Sequence, residues 1–262
     1  MDKTGAARVS VILPASNEAA LIGGCLEAVA GSDWSAPGPV EVIVVANGCR
    51  DATADVARSM APVFRQRGWS LTVLERAEGG KLAALNAGDA VATARVRVYL
   101  DADVTLSAAL LAQIDQALDT DAPRYASGTL NITAQGAVSR AYARIWRQVP
   151  FMRHGVPGCG LFAVNGAGRK RWDGFPDIIS DDTFVRLSFT AAERVGVPAT
   201  YDWPIAEGFR RLVRVRRRQD AGVAEIERRF PALLQNDDKP PFPLRDKLAM
   251  ALRDPFGFAV YS

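Results

Sequence analysis

Four short runs in the first hundred residues carry apolar side chains at strand spacing, and helical spacing follows each of them. Residues 9–13 (VSVIL), 40–45 (VEVIVV), 71–74 (LTVL) and 96–100 (VRVYL) predict strands. Pro14 ends the first run, and Asn17 is placed to cap a helix with Leu21, Cys25, Leu26 and Val29 on its inner face. The second run passes through the loop ANGCRDAT into a helix with Val56, Met60 and Phe64. A Gly79-Gly80 break then precedes a helix through Leu82, Leu85 and Val91. Strands alternating with helices of this length predict an α/β fold with a mostly parallel sheet covered on both faces. After apolar positions at Leu110, Leu111, Ile114 and Leu118 the alternation stops. Residues 125–133 predict a strand, 138–152 an amphipathic helix, 158–164 a strand and 181–192 a helix opening on two acids. The expected organisation is one domain over 1–238, its nucleotide-binding half near 8–104 and a mixed half over 105–238 completing a cleft. A Pro-rich and amphipathic tail, 239–262, follows.

The fourth strand runs straight into Asp101 and Asp103, with Ala102 between them. Alternation along an extended chain points both carboxylates the same way. Two acids at the carboxyl end of a strand suit a hard divalent cation that takes its other oxygens from water and phosphate. The alternative is that they end the strand and cap a helix starting near Leu106 or Ser107. Ligands of parallel sheets bind outside the carboxyl ends of the strands. The polar clusters at 14–18, 46–51, 79–86 and 101–103 all fall there.

Composition narrows the classes. The chain has 262 residues, 48% hydrophobic and 23% charged, with a net charge of +3. That balance is ordinary for a globular protein and makes no demand for nucleic acid, while leaving anionic partners welcome. Cys25, Cys49 and Cys159 form no C-x-x-C pair and read as free thiols of a reducing compartment. His154 is the single histidine, which excludes a His-based zinc site. The N-terminal residues lack a signal-peptide core and no apolar run reaches membrane-spanning length, so the expected location is cytoplasmic, or peripheral at the inner face of a membrane.

Taken together, P-A-S-N-E (14–18), V-V-A-N-G-C-R-D-A-T (44–53), G-G-K-L-A-A-L-N-A-G (79–88), D-A-D (101–103) and G-F-P-D-I-I-S-D-D (174–182) resemble, in order, the motifs of a family 2 glycosyltransferase of GT-A fold, over roughly residues 9–222. The resemblance implies a metal-dependent, inverting transfer of one sugar from a nucleotide-diphosphate sugar, a UDP-sugar by default, to a carbohydrate or lipid-linked acceptor in cell-envelope, polysaccharide or glycolipid synthesis. It implies that Pro14, Asn17, Glu18, Asn47, Asp51, Lys81, Asn86 and Arg218 serve the nucleotide, and that Asp101 and Asp103 hold Mn²⁺ or Mg²⁺ on the diphosphate, Asp101 touching the donor as well. It implies that Asp182 is the general base, with Asp181 beside it to raise its pKa. Lys81 after two glycines suits a diphosphate by charge and close backbone approach. Other readings stay open: Asp51 as a helix cap, Asn86 as a loop-orienting residue, Asp181-Asp182 as an N-cap pair, and His154 and Trp172 as packing residues or as part of the acceptor side.

Three departures matter. Ser16 and Ala46 stand where many members carry a base-stacking tyrosine and a base-reading aspartate. Val215-Arg216-Arg217-Arg218-Gln219 stands where processive synthases carry Q-x-x-R-W, which favours single-sugar transfer. A sugar-phosphate nucleotidyltransferase would want an arginine- and glycine-rich loop after the first strand, which PASNEAA does not supply. A non-catalytic nucleotide-sugar-binding domain is the reading from another class.

Six of the nine residues from 210 to 218 are arginine, a solvated helix face or a site for phosphate or a membrane surface. Residues 244–254 form a short amphipathic pattern, followed by the apolar PFGFAVYS, which packs on the domain, lies on a membrane or leads into a transmembrane segment.

Overall fold

The strand that comes first in the chain takes an inner place in the sheet. In the computed structural model, which describes residues 6–262, β1 (Val9–Ala15) is followed by α1 (Ile22–Ala30), β2 (Val40–Asn47), α2 (Thr53–Ser59), α3 (Ala61–Gln66), β3 (Ser70–Arg76), α4 (Lys81–Val91) and β4 (Val96–Leu100). Each strand is apolar on alternate or all positions, and each helix shows its apolar stripe to the sheet. The sheet therefore has a covered face on either side, as parallel pairing requires. The order β3-β2-β1-β4 is wholly parallel. The chain moves outward from β1 to β3, then jumps back to place β4 on the other side of β1. That reversal leaves a crevice beyond the ends of β1 and β4, where ligands of open α/β sheets bind.

The second half extends the same sheet with mixed pairing. It comprises β5 (Thr105–Leu106), α5 (Leu110–Leu118), β6 (Tyr125–Thr133), α6 (Ala137–Trp146), α7 (Pro150–His154), β7 (Leu161–Val164), α8 (Gly166–Arg169), α9 (Asp181–Leu187), β8 (Arg194–Pro204), α10 (Phe209–Arg229), α11 (Leu244–Arg253) and α12 (Pro255–Tyr261). The eight strands run β3-β2-β1-β4-β7-β6-β8-β5. β7 is antiparallel to β4 and β6, while β8 lies parallel to β6.

One core, with Val9, Val11, Leu13, Leu26 and Ile114, fills the face under α1 and α5. A second, with Ile12, Ile43, Tyr99, Phe162 and Phe184, fills the face under α4 and α9. A third, with Tyr142, Trp146, Ile205 and Leu212, joins α6 to α10. Trp172 packs edge-on against Phe175 and Phe184 in the second core, so its role is packing, and His154 is exposed on α7.

Several boundaries differ from the sequence pattern for local reasons. The helix expected over 138–152 breaks at Val149, whose ψ of 133° is the extended conformation that a following proline imposes. The helix expected over 181–192 stops at Leu187, because Thr190 opens a new turn with Glu193 in a reciprocal capping box. Thr105 and Leu106 pair with Asp202 and Tyr201 as β5, so the next helix begins at Leu110 instead of near Leu106. β8 itself was not expected. Its Val197, Ala199 and Tyr201 alternate with exposed positions, but Pro198 interrupts the signal. The proline is tolerated because the ladder with β6 shifts register there.

Glu193 also chelates Arg171, Oε2 to Nη1 at 2.8 Å and Oε1 to Nη2 at 2.5 Å. The Arg171 hydrogen bonds hold this carboxyl at about 2, below its ordinary value. A carboxylate with a depressed folded-state pKa adds stability above its unfolded pKa and loses it as pH falls through the folded one. Glu193→Gln is therefore expected to cost about 1 kcal/mol at neutral pH. The difference from wild type should shrink as pH falls from about 4.5 towards 2. Urea midpoints at several pH values measure this, and a pH-independent gap would refute the ion-pair assignment.

Candidate active site

A cleft of about 550 Å³ opens beyond the carboxyl ends of β1, β2 and β4 and is closed on the far side by the start of α9 and by α10. Three loops of the first half are bracketed by one side chain. The buried Asn47 donates through Nδ2 to the carbonyls of Ala15 (2.9 Å) and Val45 (3.2 Å), and its Oδ1 accepts from Gly80 N–H at 2.9 Å. The loops touch so closely that Gly48, at φ 59°, would drive a Cβ to 2.7 Å from the Gly79 nitrogen. Asn47 lines the cleft, yet both ends of its amide are engaged by backbone.

Beyond the end of β4 the chain turns, Val104 N–H donating to the Asp101 carbonyl at 3.2 Å, and Asp101 and Asp103 both line the cleft on either side of the buried Ala102. Asp101 is anchored by its own N–H, which donates to the Gly160 carbonyl at 2.8 Å. From the start of α4, the Lys81 ammonium reaches Asp101 Oδ1 at 2.8 Å and Asp181 Oδ2 at 3.1 Å. That one cation ties the strand end to the start of α9. Burial opposes its charge, but Asp101 and Asp181 outweigh burial and hold the ammonium above its ordinary value. Asp182, next to the buried Asp181, accepts from its neighbour Thr183 N–H at 2.7 Å and lines the cleft. Burial, then the charge of Asp181, pushes the Asp182 carboxyl upward.

Five carboxylates (Glu18, Asp101, Asp103, Asp181 and Asp182) face two cations, Lys81 and Arg218, around this one space. Burial and the charges of Asp101 and Glu18 push Asp103 up to about 6. Excess negative charge of this kind fits a divalent cation. Among the described residues no group of three or more His, Cys, Asp or Glu side chains could hold an ion. A cation bound here would need further oxygens from phosphate and water.

The remaining expected residues divide between the cleft and the loops behind it. Pro14 and Glu18 line the cleft; Asn17, Asp51 and Asn86 are not among its lining residues. Asn17, at φ 58°, caps no helix, since α1 begins at Ile22; its Oδ1 instead accepts from Arg50 N–H at 2.9 Å. Asp51 accepts from the backbone of Ala19 and Thr53, tying the first loop to the second. Asn86 exchanges two hydrogen bonds with the Phe175 backbone, 3.0 and 2.7 Å, and so orients the loop before α9. Arg218 lines the cleft from α10 together with Val215 and Gln219. Gly160, Ser180 and Trp203 line it as well and were not foreseen. For Trp203 the signal was the period-two pattern of β8.

α10 also holds the acids in place. Gly222 packs on Ile179 and Ser180, and a Cβ there would meet Ile179 Cγ2 and Ser180 Cβ at 3.1 Å and collide with Ser180 Oγ. Ile179 N–H donates to Glu225 Oε2 at 2.9 Å. Gly222→Ala should cost about 1–3 kcal/mol by overpacking and lower kcat by displacing the start of α9. A variant with wild-type urea midpoint and wild-type kcat would rule this out.

A parallel sheet with acids at its switch point and a mixed extension defines a GT-A glycosyltransferase fold, and solved structures agree. Mannosyltransferase PcManGT from Pyrobaculum calidifontis, in complex with GDP-Man and Mn²⁺, superposes with a TM-score of 0.62 at 23% identity, over 99% of this chain and 74% of that one. TarS (residues 1–349) of S. aureus with UDP gives 0.62 at 14% identity, over 94% and 70%. Glucosyl-3-phosphoglycerate synthase from Mycobacterium tuberculosis, with Mn²⁺ and UDP, gives 0.56 at 19% identity, over 91% and 82%. The family model for Glycosyl transferase family 2 matches residues 10–165, and the chain belongs to that family. Glycosyltransferase AglE of Haloferax volcanii is 35% identical over 96 residues, 36% of this chain but only 30% of that protein.

Proposed function

We propose that this glycosyltransferase moves one sugar from a nucleoside-diphosphate sugar to an acceptor hydroxyl, inverting the anomeric centre and requiring Mn²⁺ or Mg²⁺. The observation that carries this reading is the convergence of Lys81, Asp101, Asp103, Asp181 and Asp182 on one cleft at the sheet's switch point. Asp101 and Asp103 would hold the cation, which supplies neutralisation of the leaving diphosphate. Lys81 and Arg218 present positive charge to the same diphosphate. Asp182, its pKa raised by burial and Asp181, takes the proton of the acceptor hydroxyl. That oxygen bonds to the anomeric carbon as the bond to the diphosphate oxygen breaks.

UDP is the default nucleotide, supported by TarS and glucosyl-3-phosphoglycerate synthase, which were solved with UDP. GDP is the competitor, because PcManGT was solved with GDP-Man. A thermal-shift series with UDP, GDP, CDP and dTDP, each with and without Mn²⁺, tests the reading. One base should stabilise the chain selectively and only with metal; donor-sugar screening and NMR of the product's anomeric configuration then follow. No stabilisation by any nucleotide would overturn the proposal.

A further inference from the structure

α11 is amphipathic in the reverse of the usual sense. A helix packed on a protein turns its apolar side chains inward, but here Leu244, Leu248 and Leu252 are 70%, 56% and 82% exposed. They recur every four residues, so they form one stripe along the helix. Met250, on the opposite side, is the residue that faces the protein, at 7% exposed. Phe256, at the start of α12, is 58% exposed as well. At about 100° per residue, Arg245 and Lys247 flank the leucine stripe on its two sides, and both are exposed.

The helix pair is firmly attached. The Asp254 carboxylate between the two helices receives Arg144 Nε at 2.8 Å and caps α12 through Gly257 N–H at 2.8 Å. Tyr261 packs on Tyr142 with ring centroids 5.4 Å apart and planes tilted by 38°, beside Arg216 of α10. The outward leucines are thus presented by a docked element. At the far end of α12, Val260 and Tyr261 pack with Leu212 of α10, a helix whose first turns carry exposed Phe209, Arg210, Arg211 and Arg214.

The geometry points to a lipid-bilayer surface of negative charge as the partner of this face, with α11 and the start of α12 lying in the interface. An apolar stripe edged by cations matches the two layers it would meet: acyl chains for the leucines and Phe256, anionic headgroups for Arg245 and Lys247. A complementary protein face or a second copy would satisfy the leucines alone. The flanking cations favour the bilayer. This inference is independent of the proposed transfer reaction, because it rests on a surface outside the cleft and is read by binding alone.

Flotation of the full chain with phosphatidylcholine vesicles, and with vesicles containing phosphatidylglycerol as well, tests it. Binding to the anionic vesicles should be at least tenfold tighter and should weaken with salt. L248S/L252S should lower it more than tenfold with an unchanged melting temperature, since both side chains are exposed. L252F should retain it. Absence of binding to anionic vesicles would overturn the proposal. So would undiminished binding by L248S/L252S, which would leave only a charge effect of the arginines. A concentration-dependent dimer that L248S/L252S dissociates, with no vesicle binding, would assign the face to a second copy instead.

Discussion

Asp182→Asn is expected to lower kcat by about 10²–10⁴, the usual contribution of a positioned base, while leaving metal-dependent nucleotide binding within a few fold of wild type. Asparagine keeps the size of the side chain and still accepts from the Thr183 N–H that holds Asp182 at 2.7 Å. What it loses is the ability to take a proton. Asp181→Asn should act differently, because Asp181 is the buried partner of Lys81 at 3.1 Å and is turned towards that ammonium. Its loss should loosen the tie between α4 and α9 and weaken nucleotide binding as well as turnover. The wild-type pH profile gives a second readout. A base works when deprotonated, and burial with the Asp181 charge raises the Asp182 pKa. Activity should therefore fall on the acid side with a midpoint above the ordinary carboxylate value of about 3.9, and the limb should vanish from the residual activity of Asp182→Asn. Retention of full kcat by Asp182→Asn would remove Asp182 from the reaction.

Asp103→Ala should abolish the metal-dependent part of nucleotide stabilisation and, at the same time, make the free protein more stable. Its carboxyl is pushed up to about 6 by burial and by Asp101 and Glu18, so its ionised form is a burden to the folded state. For a carboxyl raised on folding, the unfolded state binds fewer protons between the two pKa values, and stability falls as pH rises through that window. The variant lacks this loss. Its advantage, on the order of 1–3 kcal/mol, should be complete above pH about 6 and absent below about 4. Wild type should gain about 2.7 kcal/mol from nucleotide and Mn²⁺ at a hundredfold excess over Kd, and Asp103→Ala should gain almost none. Calorimetric melting with and without ligand, across pH, separates the two effects. An Asp103→Ala protein that still responds to Mn²⁺ with nucleotide would take Asp103 out of the cation site.

The period-two and helical patterns up to Leu100 were enough to place β1 to β4 in a parallel sheet, since such patterns record which side chains of a single segment face the core. The D-x-D acids were legible from their place at a strand end, but strand alternation is not what aims them: the chain turns at 101–104, and both carboxylates line one cleft. The breaks at Val149 and Leu187 were written locally too, in Pro150 and in the Thr190–Glu193 box, but the longer apolar periodicity overrode them.

Partners of polar side chains obey no period. Asn86 meets Phe175 across 89 residues of chain, and Asn47 meets Gly80 across 33. Asn47 was expected at the nucleotide and Asn86 either there or as a loop-orienting residue; the fold engages both amides with distant backbone, with Asn47 still lining the cleft. Lys81 was expected at the diphosphate, and only the approach of α4 to the start of α9 added that it also joins Asp101 to Asp181. The tail carried its amphipathic pattern openly, yet a pattern does not say which face looks outward. Met250 buried against exposed Leu244, Leu248 and Leu252 decided that. Sequence alone therefore determined the strand and helix segments of the first half, the family and the acids at the strand end, because each rests on spacing between near neighbours. The tertiary structure decided which polar groups are spent on holding loops, which remain in the cleft and which apolar stripe stays uncovered, because burial and hydrogen-bond partners depend on segments far apart in the chain.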